Sequence, residues 1–342
     1  IDAIKRLTGR HPLDESKLGV RACIEFSLRG TPRNREEMQH ELMKLSSELE
    51  VDFSFQRDNM YRRMRRLICF DMDSTLIQTE CIDELAEKVK EADAIIYVGG
   101  ITPSQEGEGH ERATIELPAV QRRFLQAMHE TGKPVIYVNC SGSCVGFEGI
   151  EHAYDALLQA WYPGQAGGQA VAEVLFGDYN PSGCLPVTFY RNVNQLPDFE
   201  DYNMTGRTYR YFKGEPLFPF GHGLSYTTFA YGDIQAPASA KVGETIKISV
   251  PVTNSGTMDG DEIIQLYLKK QDDEESPIKT LRAYKRVHIP AGQTIQVELE
   301  LAPKQLEWWD AETNSMRTQA GKFDIMIGGN SVDLQKQTIT LN

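Results

Sequence analysis

Cysteine is scarce: six residues in 342 (Cys23, Cys69, Cys81, Cys140, Cys144 and Cys184), with no CxxC pair among them. That is too few for a disulfide scaffold in so long a chain, and buried free thiols are the reading that remains. Long apolar runs are missing as well. No stretch approaches the ~20 residues needed to span a bilayer. The opening, IDAIKRLTGR, lacks the apolar core of a signal peptide, so the chain as written is placed in the cytoplasm. It also lacks an initiator Met, and the sequence is expected to begin within a longer protein. Positive charge is in deficit, with 36 Lys+Arg against 49 Asp+Glu and a net charge of -13. An acidic surface repels phosphate backbones and anionic lipid, which argues against general affinity for nucleic acid or membrane. Small neutral substrates stay open.

What is present is a globular composition, 40% hydrophobic and 25% charged, with length enough for two or three cores. The chain has three textures. Over residues 20–88 the stretch RACIEFSLRG alternates as a strand does, Met38, Leu42, Leu45 and Leu49 follow at helical spacing, and DFSFQ resumes a strand pattern. The RRMRR run (Arg62, Arg63, Arg65, Arg66) reads as a solvated face in an acidic protein. Over residues 92–190, AIIYVGG and PVIYVNCSGS are short, apolar and end in Gly or Ser, as parallel strands delivering loops to one edge should. Between them PAVQRRFLQAMHETGK carries helix punctuation, Pro118 in the first turn and Gly132 at the end, and QAGGQAVAEVLFG predicts a second helix closed by Gly177. From about residue 215 the pattern is all-β. Ile246, Ile248, Val250 and Val252 alternate, as do Ile295, Val297, Leu299 and Leu301, and then Phe323, Ile325 and Ile327, which predicts a β-sandwich of immunoglobulin or fibronectin type III kind.

Two stretches carry chemistry. In RRLICFDMDST, Asp71 and Asp73 follow an apolar strand, so alternation turns both carboxylates to one side at the carboxyl end, where open α/β sheets bind ligands. One could attack phosphorus while the other handles the leaving-group proton, with a divalent ion offsetting the phosphate charge. A plain loop start would look the same by spacing. In SQEGEGHER, Glu106, Glu108 and Glu111 crowd a Gly-rich loop after AIIYVGG. Such a loop can place a carboxyl group against a glycosidic oxygen, and neighbouring carboxylates raise its pKa toward the acid role. A solvated acidic loop is the alternative there. The pairs Trp161 and Tyr162, and Trp308 and Trp309, are read as core or edge packing.

Residues 1–87, through MQHELMKLSSELEVDFSFQRDNMYRRMRRLICFDMDSTLIQTECIDELAE, resemble phosphoserine phosphatases of the haloacid dehalogenase superfamily with an N-terminal ACT-type regulatory region. The resemblance implies Asp71 as phosphorylated nucleophile and Mg²⁺ ligand, Asp73 as general acid/base and second metal-side carboxylate, and Glu80 as a substrate-binding residue. The family's second-motif Ser or Thr, its Lys and its GDGxND-type motif have no counterpart in a matching context. Without them phosphoryl transfer loses most of its electrostatic stabilisation.

Residues 89–342, through ADAIIYVGGITPSQEGEGHERATIELPAVQRRFLQAM, GKPVIYVNCSGS, ALLQAWYPGQAGGQAVAEVLFGDYNPSGCLPVTFY and PLFPFGHGLSYTTF, resemble glycoside hydrolase family 3, especially its β-xylosidases and β-glucosidases. That resemblance implies Glu108 as the acid/base, with Glu106 as the alternative, and Arg112 as a substrate-side arginine preceded by Glu111 in place of the family's Asp. It implies no cofactor. The family's nucleophilic Asp comes from an N-terminal (β/α)₈ barrel, and no SDW-like motif precedes residue 89.

The expectation is a multidomain α/β plus all-β chain: an ACT-like α+β piece over 1–56, a truncated phosphatase strand and helix over 57–88, a partial layered α/β sandwich over 89–214 and a fibronectin type III-like β-sandwich over 215–342. It is a hybrid by this reading, inactive as one chain, with a non-catalytic binding or structural role as a further alternative. Expected partners are β-linked xylo- or gluco-oligosaccharides or aryl glycosides, and self-association through unpaired sheet edges, unless the orphan strand 67–70 docks beside the sandwich sheet. The glycosidase family also allows a periplasmic or extracellular location.

Overall fold

The computed structural model describes residues 67–71, 92–109, 112–271 and 273–342, together with Glu41, Lys44 and Val89. Two compact units divide the chain, Ile1–Arg65 and Arg66–Asn342, and every element below belongs to the second. The ACT-like piece expected over 1–56 lies outside the described residues.

Strands β1 (Leu67–Asp71) and β2 (Ala94–Gly100), helix α1 (Ala119–Glu130), and strands β3 (Val135–Cys140) and β4 (Ala156–Gln159) build the first layer. The four strands form one parallel sheet in the order β1-β2-β3-β4. Leu67 pairs with Ala94 and Asp71 with Val98, so β1 occupies the edge of β2 that the sequence reading leaves open. Ile95, Ile96 and Tyr97 are buried in succession, on both faces, as a parallel strand under crossover helices requires. Pro118 immediately precedes α1, whose buried residues Phe124, Leu125 and Met128 share one stripe, and Gly132 at φ 71° ends the turn beyond it. Phe124 lies 4.7 Å from the Tyr97 ring, which stacks on Tyr137 at 5.1 Å. Helix α2 (Gly167–Leu175) falls where the second helix is predicted, and Gly177 at φ 80° follows it.

A short helix, α3 (Thr208–Tyr211), and an irregular connection lead into the all-β layer. Its strands are β5 (Phe229–Tyr231), β6 (Ser239–Ala240), β7 (Ile246–Asn254), β8 (Gly260–Lys270), β9 (Thr280–Ile289), β10 (Thr294–Leu301), β11 (Glu307–Asp310), β12 (Ser315–Thr318), β13 (Gly321–Gly328) and β14 (Gln335–Leu341). One sheet runs β10-β7-β5 and the other β6-β14-β13-β8-β9, with β11 and β12 as a separate hairpin. Ile246, Ile248, Val250 and Val252 from β7 meet Leu266, Leu268, Phe323 and Ile325 from the facing sheet in a single core. Each such aliphatic side chain contributes on the order of 1.5–3 kcal/mol.

The alternation of β8 and β13 is hidden because both faces are covered. Tyr267, on the outer face of β8, packs 5.7 Å from Tyr209 in α3 and donates to Gln265 at 2.5 Å. Gln265 in turn donates to the Gly221 carbonyl at 3.3 Å and to that of Gly329. The connection segment thus seals the sandwich against the α/β layer. Trp308 is buried beneath the Arg282 guanidinium, 4.8 Å above its ring, whereas Trp309 is exposed. Core packing holds for the first and edge placement for the second.

Candidate active site

The carboxyl end of β2 is shaped by two glycines. A Cβ on Gly100 would sit 1.9 Å from the Cys140 carbonyl oxygen, and one on Gly99 would sit 2.7 Å from the Gln121 side-chain oxygen. Only glycine lets β2 end this close to β3 and α1. Gln121 closes the strand end, accepting from the Gly100 N–H at 2.9 Å and donating to its carbonyl at 2.6 Å. The chain then turns through the acidic loop. Gln105 and Glu106 N–H groups both donate to the Thr102 carbonyl, at 2.9 and 3.2 Å.

That turn sends the Glu106 carboxylate inward, toward the segment following β3. Its Oε1 accepts from the Gly142 N–H at 2.5 Å and from the Tyr162 hydroxyl at 2.5 Å. Its Oε2 accepts from the Ser143 hydroxyl and lies 3.7 Å from the Arg112 guanidinium. The Glu106 side chain is only 10% exposed. Burial pushes its pKa up, but the hydrogen bonds from Ser143, Tyr162 and Gly142, with the Arg112 charge, outweigh that and leave it below the usual carboxylate value. Gly142 is another position without room for a side chain, since a Cβ there would lie 2.5 Å from the Tyr162 ring.

Tyr162 and Arg112 complete the cluster. The Tyr162 hydroxyl also lies 2.9 Å from the Ile101 carbonyl, so its one proton is shared between two acceptors. Its pKa is pushed up to about 12 by burial and by the Glu106 carboxylate. Trp161, immediately before it, has φ 57°, a conformation bulky side chains rarely adopt. Arg112 donates to Ser143 Oγ at 2.9 Å, to the Cys144 carbonyl at 2.9 Å and to the Ile115 carbonyl at 3.4 Å. Beneath them Asn139, fully buried, donates to Ser141 at 2.9 Å and Gln159 at 2.6 Å and accepts from Tyr137 at 3.1 Å.

Glu108 stands two residues beyond Glu106, exposed, with Gly107 before it and Gly109 at φ 79° after it. The structure therefore separates the two glutamates that spacing left interchangeable. One is held and ionised; the other faces solvent at the carboxyl edge of the parallel sheet. The Arg112 guanidinium is committed to the loop's own framework. Asp71 ends β1, but its side chain, with Asp73 and Glu80, lies outside the described residues, as does Glu111, so the phosphatase and Mg²⁺ assignments fall there too. Tyr162, read from sequence as core or edge packing, instead binds the acidic loop: its hydroxyl partners Ile101 and Glu106 are more than fifty positions away, which no local pattern shows. Among the described residues no helix is long and apolar enough to cross a membrane.

Comparison with known proteins agrees with this layout. The glycosyl hydrolase family 3 C-terminal domain matches residues 5–226, and the fibronectin type III-like domain matches residues 262–331. The first match begins well ahead of residue 89 and takes in β1. The chain is 52% identical over 270 residues to a xylan 1,4-beta-xylosidase of Xylanibacter ruminicola, covering 75% of this chain and 31% of that protein. It is 34% identical over 275 residues to the periplasmic beta-glucosidase of Salmonella typhimurium, covering 76% and 36%. A solved β-glucosidase from Erythrobacter marinus superposes with a TM-score of 0.70 at 34% identity, over 80% of this chain and 38% of that one. The chain spans about a third of the length of the curated relatives it matches. It belongs to glycoside hydrolase family 3, carrying that family's C-terminal α/β domain and its fibronectin type III-like domain.

Proposed function

We propose that this chain carries the acid/base half of a retaining β-glycosidase, acting on β-xylosides first and β-glucosides second. The observation that supports it is the divided acidic loop: Glu106 is withdrawn and ionised, and Glu108 is exposed at the sheet edge where ligands bind. The 52% identity to a xylan 1,4-beta-xylosidase supports that order of substrates. In this reading Glu108, protonated, gives its proton to the glycosidic oxygen as the bond to the leaving group breaks. As a carboxylate it then takes a proton from the water that releases the sugar. The nucleophilic carboxylate, ~5–5.5 Å from the acid in a retaining enzyme, comes from outside the described residues.

The test is hydrolysis of an aryl β-xyloside and an aryl β-glucoside by the chain alone and after addition of the nucleophile-bearing region of the Xylanibacter ruminicola relative. Turnover is expected only in the mixture, faster on the xyloside, and lost in Glu108→Gln. Turnover untouched by Glu108→Gln contradicts the reading.

A second reading rests on the FDMDST motif after β1. It would make Asp71 and Asp73 a phosphoserine-hydrolysing pair with Mg²⁺. Phosphoserine with Mg²⁺ is expected to give no turnover, because the Lys and the second acidic motif that such chemistry needs lack counterparts; phosphate release abolished by Asp71→Asn would establish the opposite.

A further inference from the structure

We propose that Glu106 is a positioning residue, a charged latch that ties the acidic loop to the segments after β3 and β4 and so fixes where Glu108 stands. The proposal rests on the reading of Glu108 as acid/base. Its geometry is independent of that reading. Three donors from two separate segments, Gly142 N–H, Ser143 Oγ–H and Tyr162 O–H, converge on one carboxylate, and Arg112 adds its charge at 3.7 Å. Hydrogen bonds to an ionised acceptor are roughly twice as strong as neutral ones, so the charge matters as much as the shape.

Two further features fit a built latch. Gly142 has no room for a Cβ because the Tyr162 ring and the Glu106 oxygen, 2.5 and 3.2 Å from that position, occupy it. Trp161 holds a left-handed conformation next to the tyrosine that reaches across, and strained backbone of this kind persists only where its surroundings fix it. Between residues 103 and 109 Glu106 is the one side chain that is not exposed, so it is the side chain that faces the body of the domain. Without Glu106, a glycine-flanked Glu108 would sample many positions, and proton transfer demands one.

Two measurements test the latch. Amide exchange across residues 102–109 is compared in the chain, Glu106→Gln and Tyr162→Phe. Both substitutions are expected to speed loop exchange about tenfold or more while β2 and β3 keep their protection; unchanged loop exchange overturns the latch. The second uses the chain completed by the nucleophile-bearing region. Glu106→Gln is expected to lower kcat about tenfold or more on phenyl β-xyloside, whose leaving group needs a proton, with KM unchanged. It should leave kcat/KM on 2,4-dinitrophenyl β-xyloside, whose departure needs no proton, within about twofold, while kcat there falls because Glu108 is also the base for the water that releases the sugar. Equal losses of kcat/KM on both substrates, or none on either, overturn the positioning role. If even the unsubstituted chain gives no turnover when completed, the glycosidase reading fails, and loop exchange alone decides the latch.

Discussion

Asn254 in the β-sandwich and Glu106 at the edge of the parallel sheet both gather several loop segments, and they do so with opposite chemistry. Asn254 is fully buried and uses every hydrogen-bonding position it has. It accepts from the Thr227 hydroxyl at 2.5 Å and the Gly256 N–H at 3.1 Å, and donates to the Met258 and Ile289 carbonyls at 2.8 and 2.9 Å. It is neutral, so burial costs little once those bonds form. Glu106 collects donors only, keeps its charge, and stands two residues from an exposed twin. A neutral amide suffices to pin loops in a sandwich. Glu106 does the same task with a charge, at the edge where Glu108 is presented.

The largest effect that would sharpen this contrast is on activity. Glu108→Gln in the completed enzyme is expected to cost about 10²–10⁴-fold in kcat on a poor leaving group, the usual worth of a general acid, with a urea midpoint that does not move. In the sandwich the effect should be on stability alone: Leu266→Ala is expected to cost about 2–5 kcal/mol in urea unfolding, with no change in loop exchange at residues 102–109. Leu266 is fully buried, so a smaller loss would mean that the two sheets collapse onto the cavity.

Glu106→Gln belongs between these two. It keeps the shape and loses the charge, and about 1 kcal/mol of stability should go with it, the order expected for hydrogen bonds to a charged group that is near the surface. Its pH dependence has a definite sign. The folded-state pKa is lowered, by hydrogen bonds and Arg112 acting against burial, so the latch is complete above the ordinary carboxylate value and is lost as pH falls through the lower folded value. Around it Tyr162 and Cys144, pushed up to about 12 and about 11, stay protonated throughout that window. Loop protection, taken relative to the intrinsic exchange rate at each pH, should therefore hold at pH 5 and fall in stronger acid, and in Glu106→Gln it should be low at both. The smallest effect is expected at Asn314, at φ 50° in the hairpin turn between β11 and β12, where Ala should cost about 1 kcal/mol and Gly almost nothing.

Much of the fold was legible where one face of a strand meets the core. Ile246 to Val252 and Val297 to Leu301 announced their strands by alternation, and Pro118 and Gly132 bracketed α1. β8 and β13 were harder, because the connection carrying Tyr209 and Gly221 covers their outer face and removes the polar half of the pattern. β1 is readable as a strand from Leu67 to Phe70, and its docking at an open sheet edge is one of the outcomes the sequence allows; the parallel register to β2 is not readable, since it depends on pairing across an intervening segment. At the site, spacing brought Glu106 and Glu108 forward together and offered no way to rank them by environment. Burial by Tyr162 and the Ser143 segment separates them, and those contacts span 36 to 56 residues.

The central claim is that Glu108, and not Glu106, exchanges the proton. Azide rescue tests it most directly: in the completed enzyme, on 2,4-dinitrophenyl β-xyloside, a small anion can enter the space left by a deleted acid/base and attack the glycosyl-enzyme. Azide is expected to accelerate Glu108→Ala several-fold with β-xylosyl azide as product, and to leave Glu106→Ala unaffected. Rescue of Glu106→Ala with none for Glu108→Ala would contradict the assignment.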